Sequence, residues 1–118
     1  MDLRHNALQA KLCKLLSAKY GRHNVGAEIP SRFGTRIDVV LKRGGYFWFY
    51  EIKTAQSPRV CIREAIGQLL EYARWPRSKE AIRLIVVGEL PLDAEATEYL
   101  NQLRESPSLS IHDEQVSL

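Results

Sequence analysis

The sequence predicts a single α/β domain, a central mixed β-sheet flanked by helices, with elements in the order αβββαβαβ. Three observations carry that expectation. Apolar residues recur at helical spacing in three separate stretches. Two stretches of strand character flank a Gly-Gly pair. A short aliphatic run, Leu84-Ile85-Val86-Val87, follows the middle helix. The 118 residues fit one domain, spanning 1–118.

Residues 4–20 read as a helix, because Leu8, Leu12, Leu15 and Leu16 make one apolar stripe. Gly21 stands where helices commonly stop. Residues 24–30 form a short first strand ending at Pro30. Residues 35–43 alternate, with Ile37, Val39 and Leu41 on one side and Arg36, Asp38, Val40 and Lys42 on the other. Gly44-Gly45 is a two-residue hairpin signal, and residues 46–54 return as the next strand. A loop over 54–60 contains Pro58. Residues 61–75 regain helical period through Ile62, Ile66, Leu69, Leu70 and Ala73, and Trp75-Pro76 ends that helix. Residues 81–88 read as a buried strand. Asp93 is placed to cap a last helix over 94–105, with Ala96, Tyr99, Leu100 and Leu103 facing inward. Residues 109–114 add a short edge strand.

Composition narrows the function. The net charge of +3 conceals a split, with +9 over residues 1–88 and −6 over 89–118. A basic body suits a polyanionic partner, and the acidic last portion is expected to face away from it. No aliphatic run approaches a membrane span, and the start does not read as a secretion signal. Cys13 and Cys61 form no CxxC pair, so both are expected to be reduced thiols of a cytoplasmic protein.

The hairpin carries the functional argument. A two-residue turn at Gly44-Gly45 sets Arg43 against Tyr46, and the same register sets Asp38 against Glu51. Lys53, two residues on, shares the face of Glu51. Opposed carboxylates destabilise a sheet unless something holds them. Mg²⁺ does so, since it takes oxygen ligands and commonly uses one or two carboxylates.

Gly34-Thr35-Arg36-Ile37-Asp38, then Glu51-Ile52-Lys53, then Gln68-Leu69-Leu70-Glu71-Tyr72 resembles the PD-(D/E)XK nuclease superfamily, in the branch of the RecB nuclease domain and the Cas4 nucleases. The resemblance covers almost the whole chain and implies a restriction-endonuclease-like core and a Mg²⁺-dependent deoxyribonuclease, with Mn²⁺ as a substitute. It assigns Asp38, Glu51 and the backbone carbonyl of Ile52 to the metal and Lys53 to catalysis, with Gln68 and Tyr72 lining the site. His5 and Glu28 are further candidates for the metal. Iron–sulfur members of the branch use four cysteines, so no cluster is expected with only two. Restriction, repair and phage defence are all open settings, as are exonuclease and endonuclease action.

Arg36, Arg59, Arg63, Arg74 and Arg77 are the expected DNA contacts, with Arg32, Lys42, Arg43 and Lys79 nearby. Phe47, Trp48 and Phe49 are expected to be core. The length leaves no room for a separate target-reading unit, so a homodimer, a partner or a fused neighbour is expected to supply specificity. The alternatives are a non-catalytic nucleic-acid-binding module of the same fold and a protein-interaction domain.

Overall fold

The computed structural model describes residues 3–30, 36–74, 82–105, 112 and 114–117. Helix α1 (Leu3–Tyr20) leads through a 3₁₀ turn (Arg22–Asn24) to strands β1 (Val25–Pro30), β2 (Arg36–Arg43) and β3 (Tyr46–Ile52). Helix α2 (Pro58–Arg74), strand β4 (Ile82–Val87) and helix α3 (Ala94–Glu105) follow. The four strands lie in the order β1-β2-β3-β4. The first three are antiparallel and β4 runs parallel to β3, so the sheet is mixed, as expected. The strand expected over 109–114 falls mostly outside the described residues, as do Arg32, Gly34, Trp75-Pro76 and Lys79; His112 and Glu114 are described and are not in a strand.

The hairpin register is the one that the turn predicts. Arg43 pairs with Tyr46 and Val39 with Tyr50. Gly44 has φ 60, and Gly45 is not in the left-handed region. A positive φ at the first central residue fits a type II′ turn, whose twist matches that of the flanking strands.

Helices cover both faces of the sheet, so β2 is buried from Ile37 to Leu41. Val39, Leu41, Tyr50 and Ile52 pack with Leu16 of α1. On the other face Ile37 and Val40 pack with Ala65 and Leu69 of α2. Ile37 thus leaves the side of Val39 and Leu41 on which simple alternation puts it. The change falls at Asp38, where the Ile52 N–H bonds to a side chain. Phe47 and Phe49 border the α2 layer and Trp48 the α1 layer, each half-buried rather than fully enclosed.

The α1 stripe also differs from expectation. Leu8, Leu12, Cys13 and Tyr20 join Leu16 against the sheet, whereas Leu15 is 59% exposed. At 3.6 residues per turn the centre of that stripe lies well round the helix from Leu15 and close to His5 and Gln9. Helix α2 begins at Pro58 rather than after it. Proline suits the first helical position, because its φ is preset and its missing N–H would be unbonded there anyway. The Ser57 carbonyl accepts the first helical bond, from the Cys61 N–H. No helix among the described residues is long and apolar enough to cross a membrane.

Asp93 caps α3 as its position predicts, its carboxylate accepting from the Ala96 N–H at 2.8 Å. Loss of such a cap typically costs about 1 kcal/mol. Asp93→Ala is therefore expected to lower unfolding free energy by about that amount in urea titration, and Asp93→Asn to recover most of it.

Candidate functional site

The site forms where the strand ladders give way to side chains. In the β1–β2 pairing, Ala27 faces Val39 and Ile29 faces Ile37, which puts Glu28 beside Asp38. In the β2–β3 pairing, the last ladder partners are Val39 and Tyr50, and Asp38 and Glu51 come next. One row across three neighbouring strands thus carries Glu28, Asp38 and Glu51. Adjacent strands lie about 4.8 Å apart, so the row concentrates negative charge. Glu28 also has φ 55, a left-handed conformation that costs a residue with a Cβ of order 1 kcal/mol or more.

Asp38 is buried and holds the row together. Its Oδ2 accepts from the Ile52 N–H at 2.8 Å. The same oxygen lies 3.1 Å from Nε2 of His5, which reaches across from α1. The Asp38 backbone carbonyl accepts from Nε2 of Gln9 at 2.9 Å. That nitrogen also donates to Oε1 of Glu28 at 2.9 Å. Both partners are acceptors, so the amide must present its NH₂ here. Gln9 thus ties α1 to β1 and β2 at the row.

Glu51 is the most unusual group. It is 2% exposed, and its Oε1 has no hydrogen-bond partner. Lys53 Nζ lies 3.8 Å from Oε2, close enough for an ion pair but too far for a hydrogen bond. Burial first, and then the neighbouring Asp38 carboxylate, push the Glu51 carboxyl up to about 7, with Lys53 pulling the other way. A buried carboxylate with an unbonded oxygen and a like charge beside it is a group whose charge a cation would neutralise. Among the described residues no three His, Cys, Asp or Glu side chains converge closely enough to hold an ion unaided. A metal here would therefore need backbone, water or ligand oxygens as well.

Of the residues that the sequence singles out, His5 lies against Asp38, Glu28 is linked to Asp38 through Gln9, and Lys53 lies beside Glu51. Gln68 is half-buried on α2 and makes no hydrogen bond to any of them. Tyr72 lies in α2, but its side chain is outside the described residues, as are the Arg74 side chain and Arg77. Arg36 and Arg63 are exposed, on β2 and α2. Arg59 is otherwise engaged: its Nε lies 2.8 Å from Oε1 of Glu95 on α3, an ion pair at an angle that makes no hydrogen bond. Arg4 likewise grips Glu89 with two nitrogens. The acidic portion is therefore not wholly set apart, since Glu89 and Glu95 fold back onto Arg4 and Arg59 of the basic body.

Gln9 is the residue that sequence reasoning leaves without a role. The signal for it was available: His5 and Gln9 are polar, four residues apart, on the inward stripe of α1. A hollow of about 770 Å³ between α2, β4 and α3 is lined chiefly by Ile62, Ile66, Leu84, Val86, Leu100 and Leu103. It includes none of the row and offers little chemistry. No family model, no curated protein and no solved structure matches this chain.

Two expectations follow from this geometry. Glu51 keeps its proton up to about pH 7 when folded but loses it near 4.5 when unfolded. The folded state then holds the extra proton between those values, so stability falls as pH rises from about 4.5 to 7 and levels off above. In a chelator, melting temperature should drop from pH 5 to pH 8, and Glu51→Gln should flatten that drop. Gln9→Ala strands the Asp38 carbonyl and is expected to cost about 1–3 kcal/mol in urea titration.

Proposed function

We propose that this chain is a metal-dependent deoxyribonuclease with a restriction-endonuclease-like core of the PD-(D/E)XK type. The observation that supports it most is Glu51, buried, with one oxygen unbonded, set beside Asp38 and Lys53. Those are the three residues that the Gly-x-x-x-Asp and Glu-x-Lys resemblance singles out. A mere solvated pair of strand carboxylates would have no reason to bury one of them with an oxygen left unbonded.

The donor set fits Mg²⁺, because it is made of oxygens and includes an unsatisfied carboxylate. Asp38, Glu51 and the Ile52 carbonyl would hold it, with His5 and Glu28 as neighbours able to contribute. When bound, the metal polarises a phosphoryl oxygen and lowers the pKa of coordinated water. The remaining work belongs to the chain. The Ile52 N–H and His5 fix the Asp38 carboxylate, so its orientation is set before substrate arrives. Gln9 holds the backbone of Asp38 and the carboxylate of Glu28. Lys53 sits at the rim, 22% exposed at its side chain, where its ammonium can meet charge developing on the scissile phosphate as water attacks in line. Cleavage leaving a 5′-phosphate follows from the resemblance.

Plasmid cleavage by the purified protein with Mg²⁺, Mn²⁺ or EDTA tests the reading. Metal-dependent nicking or linearisation is expected, with none in EDTA. Asp38→Ala, Glu51→Ala and Lys53→Ala should each lower the rate by at least about 100-fold while the protein still melts cooperatively. Wild-type rates in Glu51→Ala would sink the assignment. DNA binding without cutting under any metal would favour a non-catalytic module of the same fold.

A further inference from the structure

A second cluster stands at the other end of the sheet, beside the hairpin turn. The rings of Tyr20 and Trp48 meet edge to face, with centroids 6.4 Å apart. The Arg43 guanidinium lies over both, 4.6 Å from the Tyr20 centroid and 5.0 Å from that of Trp48. Arg83 lies 4.4 Å from the Trp48 centroid, and Lys19 Nζ is 5.2 Å from that of Tyr20. Arg83 is the ladder partner of Trp48, so the cluster crosses from α1 over β2 and β3 to β4. All three cations are exposed, and none has an ion-pair partner among the described residues. Arg4 and Arg59 contrast with them, since each is matched to a glutamate.

Three like charges drawn together without an acid repel one another, and the ring faces offset only part of that. The arrangement has a chemical use. A guanidinium stacked on a ring spends its face, and its N–H donors lie in its plane, free to grip an anion. Stacking also orders the side chain beforehand, so binding loses less entropy. A row of such groups over several elements suits an extended polyanion better than one small ion.

We infer that Lys19, Arg43 and Arg83, ordered by Tyr20 and Trp48, form a second contact surface for the phosphate backbone of DNA. The choice of DNA rests on the nuclease reading above. Arg43 lies five residue steps along β2 from Asp38, roughly 17 Å of extended strand. That is about five steps of a duplex at 3.4 Å each. A duplex cut at the carboxylate row spans that length, and it reaches the cluster by passing round the sheet, because Trp48 and Glu51 stand on alternate faces of β3. Of its three cations, the sequence places only Arg43 near the expected DNA contacts; Lys19 and Arg83 are assigned by the structure.

Fluorescence anisotropy with a 30-base-pair duplex in EDTA, over a series of KCl concentrations, tests this without cleavage. Each phosphate contact contributes close to 0.9 to the slope of log affinity against log salt. The double variant Arg43→Ala/Arg83→Ala is expected to bind about tenfold more weakly at 100 mM salt, with the slope shallower by about 2. If it fails to melt cooperatively, Arg43→Gln/Arg83→Gln removes the charges while keeping a planar amide over the rings. A folded double variant with wild-type affinity and slope overturns the proposal. Cleavage by the wild type in Mg²⁺ separates the two readings. Binding with the expected slope change but no cleavage keeps this surface and sinks the nuclease. Cleavage with an unchanged slope in the double variant sinks this surface alone, and a wild type that neither binds nor cuts sinks both.

Discussion

The bond from the Ile52 N–H to the Asp38 carboxylate, 2.8 Å long, is the constraint around which the rest is arranged. A buried amide on a central strand must be bonded somewhere. Here a side chain takes the place of a strand carbonyl, where the β2–β3 ladder ends at Val39 and Tyr50. Asp38 is thereby held beside Glu51. His5 approaches the same oxygen, so β2, β3 and α1 meet at one atom. Moving the register by one residue would remove the carboxylate from the amide and turn Glu51 to the opposite face. Register, burial and site chemistry are therefore one problem with one solution.

What was readable in the sequence is what is local. The Gly44-Gly45 turn specifies a register through backbone geometry alone, and that register placed Asp38 next to Glu51. Asp93 caps α3 through contacts within four residues, and α3 covers the expected 94–105 span. The misreadings have the same root in reverse. Pro58 reads as a loop residue in the sequence, although proline is equally at home in a first helical turn. Leu15 satisfied the i+7 spacing, but the sheet selects the stripe through Leu12, Leu16 and Tyr20. Ile37 leaves its expected side next to Asp38, whose side-chain hydrogen bond to the Ile52 N–H no periodicity encodes. Gln9 and the Tyr20–Trp48–Arg43 cluster depend on contacts between elements distant in sequence.

Charge illustrates the difference between composition and placement. The sequence divides into a basic body and an acidic end, which suggests two opposed surfaces. The fold instead spends Glu89 on Arg4 and Glu95 on Arg59. Partly exposed pairs of this kind add little stability, at most about 1 kcal/mol each. Their larger effect is on the field, because they cancel basic charge at both places. Lys19, Arg43 and Arg83, with no ion-pair partner among the described residues, then weigh more in the potential than their number suggests.

The row also explains why two features that oppose folding sit side by side. Glu28 holds a left-handed φ, and Glu51 is buried with a bare oxygen. Either alone is destabilising, and neither is needed to close the sheet. Both are tolerated because the two apolar layers under α1 and α2 grip the strands on either side of the row. Gln9 then converts part of the strain into order, since one NH₂ group joins the Glu28 carboxylate to the Asp38 carbonyl. A cation at Glu51 would relieve the remaining conflict, by neutralising the repulsion between Glu51 and Asp38. Its binding free energy would then add directly to folding stability.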